Sequence, residues 1–370
     1  MSTAVNLSSL ALHGHMKSVT MLTFNREGDL LLSSSRDTNC SACCWHARDG
    51  HMQGSFTTVT PDSKRLHDPA NTAIDVNNYS TIAATASSGE EAMLWSVETG
   101  ALLGTINRPM SSGSAVNFSH DDRMLMVATK GRSSTRSAIN VYNVPIAVPP
   151  RGEAPAPAKT DFNPTITHEA DSGEFITWAA WGPTNTTIYF SEGGFMNLLD
   201  VETGRLVHRK EIHEQGPINR FRFSRDYLTL ATAGEDCTAH LLDHRDFSTI
   251  QVYESDVPVN DVSISPTADH VILGGGMDAS AVTTQGGSSV FEVKFFHKVY
   301  GTPLGHLSHL HFGTITSLSF TPDGKGFASG SFDGIIKLCR FGENYHSATG
   351  AVPLWSLSSY NAAHNLSDDE

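Results

Sequence analysis

The fold of this chain follows from residues 311–333, which read HFGTITSLSFTPDGKGFASGSFD. His311 lies 22 residues before Asp333. Between them come an alternating strand, a Pro-Asp-Gly turn and a second strand of small residues that includes Ser329. Alternation is typical of β-strands, and Pro-Asp-Gly is typical of tight turns. The stretch therefore predicts a β-hairpin with a histidine before it and an aspartate after it.

The same pattern occurs twice more. His15 precedes Asp37 by 22 residues, and His213 precedes Asp236 by 23 residues. In each case an alternating run, a polar turn and a run of small residues lie between the two. A unit that recurs at a fixed spacing decides the architecture before any single motif does. It also favours a protein that offers surfaces to partners over one that holds a catalytic pocket.

The length of the repeat indicates the type of fold. We mark each unit by the strand that ends it, and these markers are Trp45, Trp95, Tyr142, Leu199, Leu242, Val282 and Cys339. The steps between markers are 40 to 57 residues, whereas WD-type units have about 40 to 45 with insertions in loops. Seven units of four strands predict an all-β fold, a seven-bladed WD-repeat β-propeller.

The predicted propeller spans residues 7–358 as one domain. A Pro/Ala-rich loop near 145–160 interrupts it, and residues 359–370 form a flexible acidic C-terminal tail. We expect an N-terminal strand, with Leu10–Leu12 as candidates, to complete the last blade. Such closure leaves no long sheet edge open.

The histidine and aspartate of this repeat type hydrogen-bond across a blade and hold its turns. We therefore expect a hydrogen-bonded set of His213, Thr232 and Asp236, and matching roles for the other repeat residues. Replacement of Asp236 is expected to lower stability without removing a partner contact.

Composition narrows the function. The chain has 25 basic and 39 acidic residues, a net charge of −14. No direct nucleic-acid binding is expected, because neutralising phosphates needs basic stripes. The sequence shows no signal-peptide pattern and no apolar run of transmembrane length, so we expect a cytoplasmic protein without membrane contact.

Four segments resemble chemical sites, and each has a simpler structural explanation. Cys40–His46 and His306–His311 contain metal-ligand residue types, but the first lacks a second cysteine pair and the second contains the repeat histidine. Gly274–Gly276 follows a strand without the Lys-Ser/Thr of a phosphate loop. Lys130–Arg136 is a basic hairpin that suits a solvated loop better than a contact with RNA or a phosphoprotein. We expect no enzyme, no cofactor and no metal.

Two segments are more specific than a generic repeat. Residues 269–279 read DHVILGGGMDA, and residues 291–297 read FEVKFFH. Together with Ala180–Pro183 and Val257–Asn260, they closely resemble subunit i of eukaryotic translation initiation factor 3. The similarity spans nearly the full chain and is strongest after about residue 210.

This resemblance implies a non-catalytic scaffold subunit that binds subunits b and g and reaches the small ribosomal subunit through the complex. It also implies that Asp226 and Asp243 dock a helix of subunit b. Two positions depart from the family: Met277 replaces a glutamine, and Gly89 replaces a repeat aspartate. The alternative is another WD-repeat adaptor, such as a kinase-receptor-associated scaffold protein.

Overall fold

A computed structural model describes residues 7–37, 41–56, 70–88, 91–107, 112–131, 135–144, 163–170, 173–276, 291–342 and 345. The Pro/Ala-rich loop, the acidic tail, Gly89 and Met277 lie outside these residues. No helix in the described ranges is both long enough and apolar enough to cross a membrane.

The described residues form seven antiparallel sheets of four strands each, arranged as the blades of a ring. The predicted seven-bladed β-propeller is therefore confirmed. Blade 1 contains β2 (Val19–Phe24), β3 (Leu30–Ser35), β4 (Ala42–His46) and β5 (Met52–Ser55). Blade 2 contains β6 (Asn71–Val76), β7 (Ile82–Ser87), β8 (Glu91–Ser96) and β9 (Leu102–Asn107). Blade 3 contains β10 (Ser112–Phe118), β11 (Met124–Lys130), β12 (Ala138–Asn143) and β13 (Ile166–Glu169).

The remaining blades repeat this order from the centre outward. Blade 4 contains β14 (Ile176–Trp181), β15 (Thr187–Glu192), β16 (Phe195–Asp200) and β17 (Leu206–Glu211). Blade 5 contains β18 (Ile218–Phe223), β19 (Thr229–Gly234), β20 (Thr238–Asp243) and β21 (Thr249–Glu254). Blade 6 contains β22 (Val259–Ile264), β23 (His270–Gly275), β24 (Val293–His297) and β25 (Pro303–Leu307). Blade 7 contains β26 (Ile315–Phe320), β27 (Gly326–Ser331), β28 (Ile336–Phe341) and, as its outer strand, β1 (Leu7–Leu12).

The N-terminal strand closes the ring as predicted. β1 pairs antiparallel with β28, in a register that runs from Leu7 opposite Phe341 to Leu12 opposite Ile336. The two ends of the propeller are thus joined by backbone hydrogen bonds. Any opening of the ring at this point must first break a four-stranded sheet.

One predicted repeat marker was wrong. In blade 6 the position equivalent to Trp45 is Phe296, which lies opposite Val271 just as Trp45 lies opposite Leu31. The marker chosen from the sequence, Val282, lies outside the described residues. The error has a physical cause, because the connection between β23 and β24 is longer than in the other blades and displaces the third strand along the chain.

Each inner strand carries a β-bulge at its second or third residue. A bulge re-aims a side chain, and here the bulged residue turns toward the next blade. In six blades it donates a hydrogen bond to the carbonyl of the first or second residue in the next inner strand. The donors are Thr20, Thr72, Thr177, Asn219, Asn260 and Thr316, at 2.5 to 2.9 Å. The equivalent hydroxyl of Ser114 in blade 3 is buried and has no hydrogen-bond partner among the residues that the structure describes.

Candidate protein-binding site

The repeat residues lie inside the blades. His213 contacts both carboxylate oxygens of Asp236 through Nδ1, at 2.9 and 3.0 Å, and its Nε2 lies 2.8 Å from the Thr232 hydroxyl. In this pair burial lowers the pKa of His213, which favours the neutral imidazole. Burial alone would raise the pKa of Asp236, but the hydrogen bond from Thr238 and the nearby His213 lower it. These groups hold the turn after β19 and are not open to a ligand.

The other two repeats have related geometry. His311 contacts Asp333 at 3.2 Å and Ser329 at 2.7 Å. His15 lies 2.7 Å from Ser33, and Asp37 accepts the backbone N–H of Met16. All of these residues except Met16 are buried or nearly so. These residues fix the loops of their blades, so they are not available for contact with a partner.

Asp226 lies at the opposite end of blade 5, in the turn between β18 and β19. Its Oδ1 accepts hydrogen bonds from the Ser224 hydroxyl at 2.5 Å and from the Leu228 backbone N–H at 3.0 Å. These bonds, first that from Ser224, lower the pKa of Asp226, and Lys298 adds to the effect. Within the described residues Oδ2 of Asp226 receives no hydrogen bond, so a partner can reach it from solvent.

Asp243 ends β20 at the same end of the blade, opposite Thr229 in β19. Its two carboxylate oxygens are already held by the guanidinium of Arg245, at 3.1 and 2.8 Å. This fork lowers the pKa of Asp243 to about 2. The Arg245 side chain is 76% exposed, so the bond is one that a competing cation can reach. The sequence alone did not indicate this internal partner.

A groove of about 450 Å³ runs beside Asp226 between blades 5 and 6. Its walls include the turn at Arg225, the turn at Pro266 and the side chain of Lys298. Exposed apolar side chains flank the same loops, namely Leu228, Val299 and Tyr300. An acidic group beside a groove with apolar margins suits an amphipathic helix that carries basic residues.

The central channel contains a buried ion triad that sequence reasoning missed. Asp261 of β22 is fully buried and contacts Arg220 at 2.9 Å and Arg222 at 2.9 and 3.1 Å, both from β18. It also accepts the Ser317 hydroxyl and the Leu318 N–H of blade 7. Burial would raise the pKa of Asp261, but the two arginines lower it.

The two arginines also reach across the channel. Arg220 donates to the carbonyl of Thr20 at 3.2 Å, and Arg222 donates to the carbonyl of Leu22 at 3.4 Å. Both acceptors belong to β2 of blade 1. The triad therefore links blade 5 to the two blades that meet at the closure of the ring. Arg220 lines a cavity at one end of the channel and Arg222 lines one at the other.

The segments that resembled chemical sites are parts of the packing where the structure describes them. Cys43 and Cys44 are buried on β4 and belong to different clusters of the core. Gly274 lies in β23, where an added Cβ would come within 2.7 Å of Leu318 in blade 7. The described residues contain no group of three or more potential metal ligands.

The amino-acid sequence that forms these blades is similar to the sequences of known proteins. The family model EIF3I matches residues 7–349, which include every strand of the ring. The chain belongs to the EIF3I family. A protein of Drosophila willistoni named eukaryotic translation initiation factor 3 subunit I is 33% identical over 90% of this chain and 98% of its own length.

Relatives with the same name occur in other organisms. The protein of Botryotinia fuckeliana is 30% identical over 93% of this chain and 97% of its own length. That of Culex quinquefasciatus is 32% identical over 92% of this chain and 98% of its own length. These EIF3I relatives are as long as the propeller itself. The similarity therefore concerns the whole ring and not one shared blade.

Proposed function

We propose that this protein is a non-catalytic scaffold subunit of eukaryotic translation initiation factor 3 in the cytoplasm. In this role it binds subunits b and g and reaches the small ribosomal subunit through the complex. The observation that carries the proposal is the match to the EIF3I family over residues 7–349. The polar residues of the repeat grid support a structural role, because they are engaged in holding turns.

The general test is to tag the protein in its own cells and to recover it under mild conditions. We expect other subunits of initiation factor 3, with b and g among them, and co-sedimentation with small ribosomal subunits. Recovery of a different assembly, with no subunit of this factor, would contradict the proposal. Receptor-kinase components in place of these subunits would favour the alternative WD-repeat adaptor.

For subunit b we propose a docking site at the end of blade 5, with Asp226 and Asp243 as receptors for basic side chains of a helix. Asp226 has a free oxygen beside the groove. Asp243 has to exchange Arg245 for a cation of the partner. A bidentate contact from an arginine would replace a bond of the same kind, so its net gain is small. Asp226 is therefore expected to contribute more.

The site is tested by measuring the affinity of the C-terminal segment of subunit b for three variants. Asp226→Ala is expected to weaken binding by at least about tenfold, as expected for a desolvated interfacial ion pair. Arg245→Gln frees Asp243 and is expected to tighten binding. The matched control is Asp323→Ala, because Asp323 accepts the same two hydrogen bonds in the equivalent turn of blade 7.

Melting curves must show that each variant is folded. If the affinity of Asp226→Ala for the subunit b segment lies within about twofold of that of the wild type, the carboxylate is only a rim charge and the docking site is refuted. The same conclusion follows if Asp323→Ala weakens binding as much as Asp226→Ala, since the loss would then come from the turn. Subunit g is tested by the same measurement with its own segment, and its binding does not depend on this result.

A further inference from the structure

A second surface lies at the other end of the ring. A cavity of about 550 Å³ opens where the inner strands begin, and three cationic side chains line it: Arg36, Lys130 and Arg220. We call it the basic mouth. Among the described residues that form its wall there is no carboxylate. In a chain of net charge −14, this is a local reversal of sign.

Two of the three charges of the basic mouth, Arg36 and Lys130, have no carboxylate partner among the described residues. Arg220 directs its guanidinium inward, to Asp261 and to backbone carbonyls. Neither Arg36 nor Lys130 forms an ion pair with a described residue, and the Arg36 guanidinium lies 5.8 Å from the ring centre of Phe332. Much of Lys130 remains exposed, yet partial enclosure and then the charges of Arg36 and Arg220 lower its pKa. Like charges that line one cavity repel one another, so the basic mouth favours the binding of an anion.

Large apolar side chains lie beside the same opening. Phe332 lines the cavity and is 43% exposed, while Phe312 and Met16 are 87% and 84% exposed. The turn at Phe332 brings them together, since an added Cβ on Gly313 would lie 3.2 Å from Cβ of Phe332. In the same turn an added Cβ on Gly334 would lie 2.8 Å from the carbonyl of His15, the neighbour of Met16. Exposed apolar residues grouped on one face indicate an interaction surface.

We propose that the basic mouth binds a phosphorylated serine or threonine of a partner protein, with Arg36 and Lys130 contacting the phosphate. An apolar side chain next to the phosphorylated residue would then pack on Phe312 and Phe332. A phosphate dianion offers three acceptor oxygens and fits a cluster of cations. The apolar neighbours favour a peptide over an inorganic anion. The acidic surface disfavours RNA, which needs extended basic tracks.

The test uses the full chain and an oriented library of nine-residue peptides with a fixed central phosphothreonine. The comparison library carries threonine at that position, and inorganic phosphate serves as a third probe. We expect the phosphothreonine library to bind and the threonine library not to bind. Arg36→Gln and Lys130→Gln are each expected to weaken binding about tenfold, the scale of one charge-assisted hydrogen bond. The control Arg205→Gln removes an exposed charge from blade 4 and should change the affinity for the phosphothreonine peptides by less than about twofold.

The two parts of the site are separated by Phe312→Ala. This variant is expected to lower the affinity for the phosphopeptide and to leave the affinity for inorganic phosphate unchanged. Equal binding of both libraries would overturn the proposal, as would phosphate binding without peptide binding. An equal loss in Arg205→Gln, or preference for a single-stranded RNA over the phosphopeptides, would overturn it as well. Because the basic mouth and Asp226 lie at opposite ends of the blades, neither result depends on subunit b.

Discussion

Replacing Asp261 by asparagine tests the buried triad at nearly constant shape. The carboxylate is fully buried and contacts two arginines whose side chains are only 10% and 18% exposed. Asp261→Asn leaves both guanidinium groups with their charges and removes the group that neutralises them. Breaking a buried ion pair by removing one partner costs about 3–5 kcal/mol, because the other charge stays buried and unpaired. Some backbone carbonyl contacts to the arginines remain, so we expect the lower part of this range.

The free energy can be converted into a melting temperature. At roughly 2.1 cal/mol/K of unfolding entropy per residue, a chain of 370 residues has an unfolding entropy of about 0.8 kcal/mol/K. For the lower part of this range, the melting temperature should therefore fall by about 4–5 °C, measured by calorimetry at pH 7.5. The matched control is Asp243→Asn, which also removes a carboxylate from an arginine pair but at the surface, and should cost at most about 1 kcal/mol.

Similar melting temperatures of Asp261→Asn and Asp243→Asn would contradict this prediction. If Asp261→Asn melts within about 1 °C of Asp243→Asn, the triad does not hold the ring. Replacing Arg222 by glutamine in the Asp261→Asn background should restore part of the lost stability, because it removes one of the two uncompensated charges.

Three further results are expected from the same melting measurements. Asp236→Ala should lower the free energy of unfolding by about 1–3 kcal/mol, since it removes the carboxylate that His213 contacts through Nδ1, and an unchanged melting temperature would contradict this. Acidification should destabilise blade 5. Burial lowers the pKa of His240 to about 4 and also lowers the pKa of His213. The unfolded chain therefore takes up protons near pH 6.5, whereas the folded chain does not. The free energy of unfolding is therefore maintained above pH 6.5 and decreases below it. His240→Gln should reduce this decrease between pH 7 and pH 5. An equal decrease in the variant and the wild type would refute the assignment. Thr177→Val should cost about 1 kcal/mol, whereas Ser114→Ala should be neutral or stabilising, because the Ser114 hydroxyl has no partner among the described residues. Equal costs would contradict the arrangement of hydrogen bonds between blades.

The parts of the fold that sequence could predict are those with a local pattern. The spacing of His213 and Asp236 is fixed by one hairpin, so it can be recognised without knowing the neighbouring blades. The closing strand at Leu10–Leu12 could be inferred because a ring of sheets leaves its last edge open until another strand covers it.

The parts that sequence could not predict depend on contacts between blades. Arg220 and Asp261 are 41 residues apart and meet because β18 and β22 are the inner strands of neighbouring blades. A signal was present, since Arg220 and Arg222 lie two residues apart on an inner strand and therefore share the same face of the sheet. Arg245 lies only two residues after Asp243, with which it forms a hydrogen bond. An exposed arginine can equally point into solvent, and the sequence does not decide between the ion pair and the solvated side chain.

The pairing of β1 with β28 has a consequence for synthesis on the ribosome. Leu12 is made 324 residues before its partner Ile336, and at about 5–20 residues per second that interval lasts roughly 16–65 s. During this time the six blades between them can fold in order, while β1 has no sheet to join. A half-apolar strand without a partner can pair with other chains. We therefore expect that a bulky fusion placed before Leu7 reduces the yield of closed rings more than the same fusion placed after the propeller.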